Sequence, residues 1–259
     1  MRSRPWQDVG ISLLPGTRLR FSDDNEDDNE RVSARGAPRK FSRTGRKIMR
    51  EAGVELQSGG ARAFAGLIAL AAWLGIGLYF HALADGPASW PAAIWRMLSY
   101  FTILTNLLVA VVFTGIAMRT GLGTPWLLGG TLLNILLVGV IYGVLLQGLR
   151  ELTAGSQLAN ILLHRATPAL VSMFWLAFAR KGTLTWRAPV LWALFPLGYL
   201  LYALGRGAIE GRYPYPFINV AEIGWPHTLR NSALIALAFV IAGEAMVWVD
   251  RRLAGRAKR

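Results

Sequence analysis

Six apolar runs, each about as long as a bilayer is thick, constrain this chain more than any other feature. They fall near 63–83, 97–118, 125–147, 158–179, 188–208 and 229–249. Crossing ~30 Å of hydrocarbon takes roughly 20 helical residues at 1.5 Å each, and every run meets that length. Lipid offers no water to backbone N–H and C=O groups, so such runs form helices; the alternating pattern of a barrel is absent. The separators DGPASWP, RTGLGTP, GLRELTAGS, ARKGTLTWRAP and GRYPYPFINVAEIGWP carry the Gly and Pro that end helices. The expected fold class is therefore all-α: a polytopic membrane protein with six transmembrane helices.

Composition agrees, with 53% hydrophobic residues, 17% charged, ten Trp and a mean hydropathy of +0.37. A net charge of +13 raises the question of nucleic acid, but thirteen of the 28 Lys and Arg precede residue 63 and most others punctuate the apolar runs. That distribution signals topology, and no nucleic-acid partner is expected. No cysteine is present, which excludes disulfides, a thiolate nucleophile and Cys-ligated zinc or iron–sulfur centres. No cofactor is expected.

Residues 1–62 mix RSR, DDNEDDNE and RKFSRTGRK without apolar periodicity, and are expected to form a disordered cytosolic extension. The DDNE tandem lacks the mid-loop Gly and terminal Glu of an EF-hand loop, so it reads as solvated low complexity. Met49 stands close before the first span and offers an alternative start. No small-residue cleavage site follows that span, which is expected to be retained. Residues 63–253 make the transmembrane domain and 254–259 a basic cytosolic tail.

Six spans put both termini on one side. The inner set would hold Arg119, Arg180, Lys181, Arg187, Arg251, Arg252, Arg256, Lys258 and Arg259, against Arg96, Arg150, Arg206 and Arg212 outside, so both termini are expected in the cytosol. The implied location is a cell membrane, that of a bacterium's inner membrane, with the basic termini on anionic inner-leaflet lipids.

This orientation fixes the depth of each polar side chain. The second span enters from outside, so Ser99, Thr102, Thr105 and Asn106 lie in its first turns, with Ser99, Thr102 and Asn106 on one stripe at i, i+3 and i+7. The fourth span also enters from outside and puts Asn160 and His164 on one face. The fifth leaves outward, carrying Tyr199, Tyr202, Arg206 and Glu210 to the same leaflet. Thr102 and His164 come to matching depth, roughly 7 to 9 Å below the point where each helix enters. Pro168 cannot donate to the carbonyl of His164, which predicts a kink and a polar pocket one turn from the imidazole.

Each residue also has a plainer reading. His164 suits an interfacial histidine, Thr102 and Thr105 can bond their own helix, and the Tyr and Arg of the fifth span suit a snorkelling belt. Glu244 is expected to pair with an Arg of the tail. The functional reading draws on convergence: three helices place their polar faces in one leaflet.

SYFTILTN, ANILLHRATP, PLGYLLYALGRGAIEGRYPYPFINV and VWVDRRL, spread over about 65–253, resemble the androgen-induced-gene family of six-span membrane proteins and its bacterial relatives. The YPYPF element with its preceding Tyr/Arg helix is the most specific piece. The resemblance implies a threonine hydrolase of fatty acid esters of hydroxy fatty acids, with Thr102 as nucleophile and His164 as base. The chemistry is sound: a threonine hydroxyl needs a base within ~3 Å, and histidine suits that task near neutrality. Asn160 could fix the imidazole tautomer. Asn106 or Arg206 could donate to an oxyanion, a role worth roughly 2.7 to 4 kcal/mol per donor in other enzymes. Glu210 is the one outer carboxylate that could complete a triad. Membrane lipids or lipid esters would be the partners.

Two rivals stand beside this reading. His81, His164 and His227 all fall at outer span ends and together could ligate a catalytic zinc. Alternatively, the protein binds lipid or scaffolds without catalysis, with YPYPF as a structured outer loop. A transporter lacks the expected inverted repeat.

Overall fold

The computed structural model describes residues 58–86, 89–148 and 154–256; the expectations for residues 1–57 and for the last three residues of the tail lie outside them. Within those bounds the chain forms helices and no strands. Helix α1 spans Gly59–Ala84, a short α2 Trp90–Met97, α3 Phe101–Ala117 and α4 Pro125–Ile141, which runs into a π-helical turn over Tyr142–Leu146. Helix α5, Ala154–Ile161, passes through a second π-helical turn, Leu162–Ala166, into α6, Thr167–Phe178. Then come α7 Ala188–Trp192, α8 Leu194–Glu210, a 3-10 turn Pro216–Ile218 and the long α9, Val220–Arg256.

Five of these segments are long and apolar enough to cross a membrane, and α2 with α3 make a sixth if that pair is one span, bent by 90° at residues 98–100. The second run thus differs from expectation. Its helix starts at Phe101 rather than 97, because the Ser99 hydroxyl donates to the Arg96 carbonyl (2.6 Å) and Tyr100 is extended (ψ 129°), which closes α2 with a turn. Ser99 is consequently off the α3 stripe. The last helix begins nine residues before the expected 229 and is interrupted at Gly224 (φ 72°), with Pro226 two residues on.

Packing inverts the pattern of a water-soluble bundle. Leu67, Leu70, Trp73, Leu197, Leu201 and Ile241 are exposed, whereas Thr105, Asn106, Thr131, Asn134 and Thr167 are buried. An outer surface so rich in Leu, Ile and Trp needs hydrocarbon as its solvent, and the protein is a multi-pass membrane protein on that ground. Between helices, small residues bring backbones together, as membrane packing favours. Ala61, Ala65, Ala69 and Ala72 are buried along α1, which packs most extensively on α3 and then on α5 and α6. A Cβ at Gly75 would lie 2.8 Å from Leu163 Cδ2, so only glycine lets α1 approach the π turn this closely. Phe113 and Phe174, both fully buried, meet edge to face at 5.0 Å and join α3 to α6.

At the other ends of the helices, Glu244 forms no ion pair among the described side chains; the tail's Arg251 and Arg252 instead lie over Trp186 and Trp248, at 4.8 and 4.9 Å. The buried acid that does tie this end together is Asp250, whose carboxylate accepts the Leu184 N–H at 3.1 Å. Arg62 donates to the Ala117 carbonyl (3.0 Å), joining the start of α1 to the end of α3.

Candidate functional site

Thr102 is the second residue of α3, a position it owes to the bend before it. The Thr102 hydroxyl lies 3.3 Å from His164 Nε2. On the other side of the ring, His164 Nδ1 is 3.1 Å from the Asn160 carbonyl. A carbonyl only accepts, so Nδ1 carries the hydrogen, and a neutral imidazole then presents a bare Nε2 to the threonine. Asn160 therefore orients the ring through its backbone, not its amide. Its side chain donates instead to the Tyr142 hydroxyl (2.5 Å), and the Tyr142 ring stacks on His164 with centroids 4.2 Å apart.

The discontinuity expected near Pro168 takes the form of the π turn at Leu162–Ala166. Without a proline N–H, the His164 carbonyl turns toward Gly139 of α4, where a Cβ would sit 3.3 Å from it. The extra residue in that turn is held from outside. Asn106 donates one amide hydrogen to the Thr102 carbonyl (2.8 Å) and one to the Leu163 carbonyl (3.1 Å), while its Oδ1 accepts from the Thr167 hydroxyl (2.8 Å). Both donors of Asn106 are spent, so the expected oxyanion role falls away. Asn106 instead clamps the backbone carrying Thr102 to the backbone carrying His164.

Arg206 does not reach the site either. Its guanidinium donates to Glu210 (2.8 Å), to the Trp95 carbonyl (2.8 Å) and to the Tyr202 hydroxyl (2.9 Å), and lies over the Trp95 ring at 4.1 Å. Glu210 accepts from that arginine and from the Trp95 indole (2.7 Å). Arg206 and Glu210 line neither of the two cavities described below, so the triad role fails for the same reason. This group fastens α8 to α2. Tyr202 adds a long contact to the Leu98 carbonyl (3.4 Å), and Tyr199 donates to the carbonyl of Ser99 at 2.7 Å.

Tyr215, from the YPYPF element, is the residue that the sequence reading did not single out. Its hydroxyl accepts from the Thr102 N–H at 3.4 Å, and the Phe101 N–H also points toward it. These are two of the amide groups that the start of α3 leaves without helical partners. A phenol is protonated near neutral pH, so the Tyr215 hydroxyl can donate as well as accept. The loop that delivers it is fixed at several points. Gly211 ends α8 in the left-handed region (φ 67°), the Tyr213 ring occupies the space where a Gly207 Cβ would be, and Asn231 donates to the Phe217 carbonyl (3.1 Å). Tyr215 stacks on Phe217 with rings 6° from parallel.

Around His164 these groups enclose a cavity whose wall includes Tyr79, Tyr100, Tyr142, Ser156 and Asn160. The other histidines are elsewhere: His81 pairs with Asp85 (2.9 Å) and His227 Nδ1 faces the Ile223 carbonyl (2.9 Å). Among the described residues no group of three His, Cys, Asp or Glu side chains stands close enough to hold a metal ion. No protein-family model, curated protein or solved structure matches the chain.

Proposed function

We propose that this membrane protein is a threonine-type hydrolase of lipid carboxylic esters, with six crossings and both termini in the cytosol of a bacterial cell, related to the androgen-induced-gene family. One observation carries the reading: the Thr102 hydroxyl faces a histidine nitrogen that the Asn160 carbonyl leaves unprotonated. Their 3.3 Å separation is slightly longer than a catalytic hydrogen bond and is of the kind that tightens when substrate arrives.

In this reaction His164 takes the Thr102 proton as the hydroxyl oxygen bonds to the ester carbon. The tetrahedral oxyanion is stabilised by the Tyr215 hydroxyl, since Asn106 and Arg206 are committed elsewhere. Collapse breaks the ester C–O bond, and His164 gives its proton to the departing alkoxide. Water then attacks the acyl-threonine, passing a proton through His164 back to Thr102 Oγ1, and the carboxylic acid is released.

A fluorophosphonate probe tests the assignment. It is expected to label the purified protein covalently, and the label is expected to vanish in both Thr102→Ala and His164→Ala while size-exclusion profile and melting temperature stay those of the parent. Labelling that persists in Thr102→Ala would overturn the nucleophile. Absence of labelling together with absence of turnover on lipid esters would leave a lipid-binding protein, a role the apolar cavity beside Thr102 also suits.

A further inference from the structure

Thr102 stands in the wall between two cavities. One holds His164; the other lies on the far side of the threonine, among α3, α4, α8 and α9, and Thr102, Leu146 and Tyr215 line both. The second is open on one side, and the empty space within it, that open side included, is about 930 Å³. Its wall is hydrocarbon and aromatic carbon, with Val138, Pro196, Leu200, Ile235, Ala236 and Phe239 contributed by three helices. The polar atoms along it are turned away. The Ser232 hydroxyl donates to the Thr228 carbonyl (2.8 Å) and the Tyr199 hydroxyl to the Ser99 carbonyl (2.7 Å). Only the end at Thr102 and Tyr215 presents polar groups. A hollow of this kind offers water too few partners to order it and suits an alkyl chain.

The direction of proton transfer decides which part of an ester goes there. The proton that His164 removes from Thr102 must reach the departing alkoxide, so the alcohol portion lies on the His164 side. The chain attached to the carbonyl carbon then leaves on the opposite side, into the second cavity. Along α9 the lining runs from Ser232 to Phe239, a rise of roughly 10 Å on one helix. We infer that this cavity is the acyl-chain site, and that Ala236 and Phe239 set the length of chain it accepts. The assignment rests on the hydrolase reading.

The experiment uses the full chain in lipid nanodiscs and p-nitrophenyl esters from butyrate to palmitate. Ala236→Trp fills the cavity away from the Thr102 end, and the ratio of kcat/KM for palmitate to that for butyrate is expected to fall at least tenfold. Phe239→Ala lengthens the cavity and is expected to shift the preference the other way. A ratio unchanged in both variants overturns the site. If the parent hydrolyses no ester, the hydrolase reading has failed, and the cavity is read on its own with palmitic acid carrying a terminal diazirine. Photolysis is then expected to place cross-links on residues 196–200 and 232–239, reduced at least fivefold by Ala236→Trp. Cross-links spread over all lipid-facing helices and indifferent to the tryptophan would mean bulk lipid, and would overturn the site independently of catalysis.

Discussion

The Thr102 hydroxyl and the His164 ring come from helices 62 residues apart in sequence, and each owes its chemistry to backbone groups of other residues. A carbonyl sets the histidine tautomer, and the helix start that carries Thr102 directs its free amides at Tyr215. Tyr215→Phe keeps the ring that stacks on Phe217 and removes only the hydroxyl, so it isolates the oxyanion role. Its kcat is expected to fall about 10²–10³-fold with KM little changed, as loss of a donor used only in the transition state requires. A change confined to KM would assign Tyr215 to substrate binding instead. In the sequence Thr102 and His164 stood out through the resemblance carried by SYFTILTN and ANILLHRATP, with span direction placing both near one depth; for His164 the cost of an ionisable group there added a reason. Tyr215 did not, since a tyrosine between two prolines at a span end is the ordinary composition of an interface.

Two helix irregularities hold these residues. The π turn that contains His164 adds a residue to its helix, and the bend before Phe101 brings a helix start against it. Asn106 spans the gap between them. In Asn106→Leu the Thr167 hydroxyl keeps the Leu162 carbonyl (2.8 Å), but the Leu163 carbonyl is left with only the longer Thr167 contact (3.3 Å), a loss expected to cost ~1–3 kcal/mol. The melting temperature should drop, and fluorophosphonate labelling should slow with it. Gly139→Ala sets a methyl group 3.3 Å from the His164 carbonyl oxygen and from Pro168, crowding that offsets the ~1 kcal/mol alanine ordinarily gains over glycine inside a helix, and the variant is expected to be no more stable than the parent. A variant more stable than the parent by that full amount would show that α4 and the π turn are not in fixed contact. Pro168 made a discontinuity readable in advance; its form depended on Thr167, Asn106 and Gly139 lying where the neighbouring helices put them.

The absence of cysteine from the chain allows topology to be mapped one position at a time. With both termini inside, a membrane-impermeant maleimide added to intact cells is expected to label cysteine at Gly86 or Gly211 and to spare Gly121 and Gly182 until the membrane is opened. The reverse pattern would invert the protein and move the site to the inner leaflet. Termini inside would also put at the outer surface the Arg206, Glu210 and Trp95 cluster, which fastens α8 to α2. Glu210 is the part-exposed edge of that network, over an Arg206 side chain only 8% exposed, and it lines neither cavity, so Glu210→Gln should leave turnover near that of the parent. A large loss would return Glu210 to the catalytic set.

Apolar length by itself determined that this chain forms membrane-crossing helices, because a backbone in hydrocarbon has no other way to satisfy its hydrogen bonds. Residue type and span direction also set which polar side chains share a depth. Which of those side chains met was decided only by tertiary structure. Asn106 and Arg206 looked like donors in sequence and became fasteners, because a hydrogen spent on a neighbouring carbonyl is no longer available to a substrate.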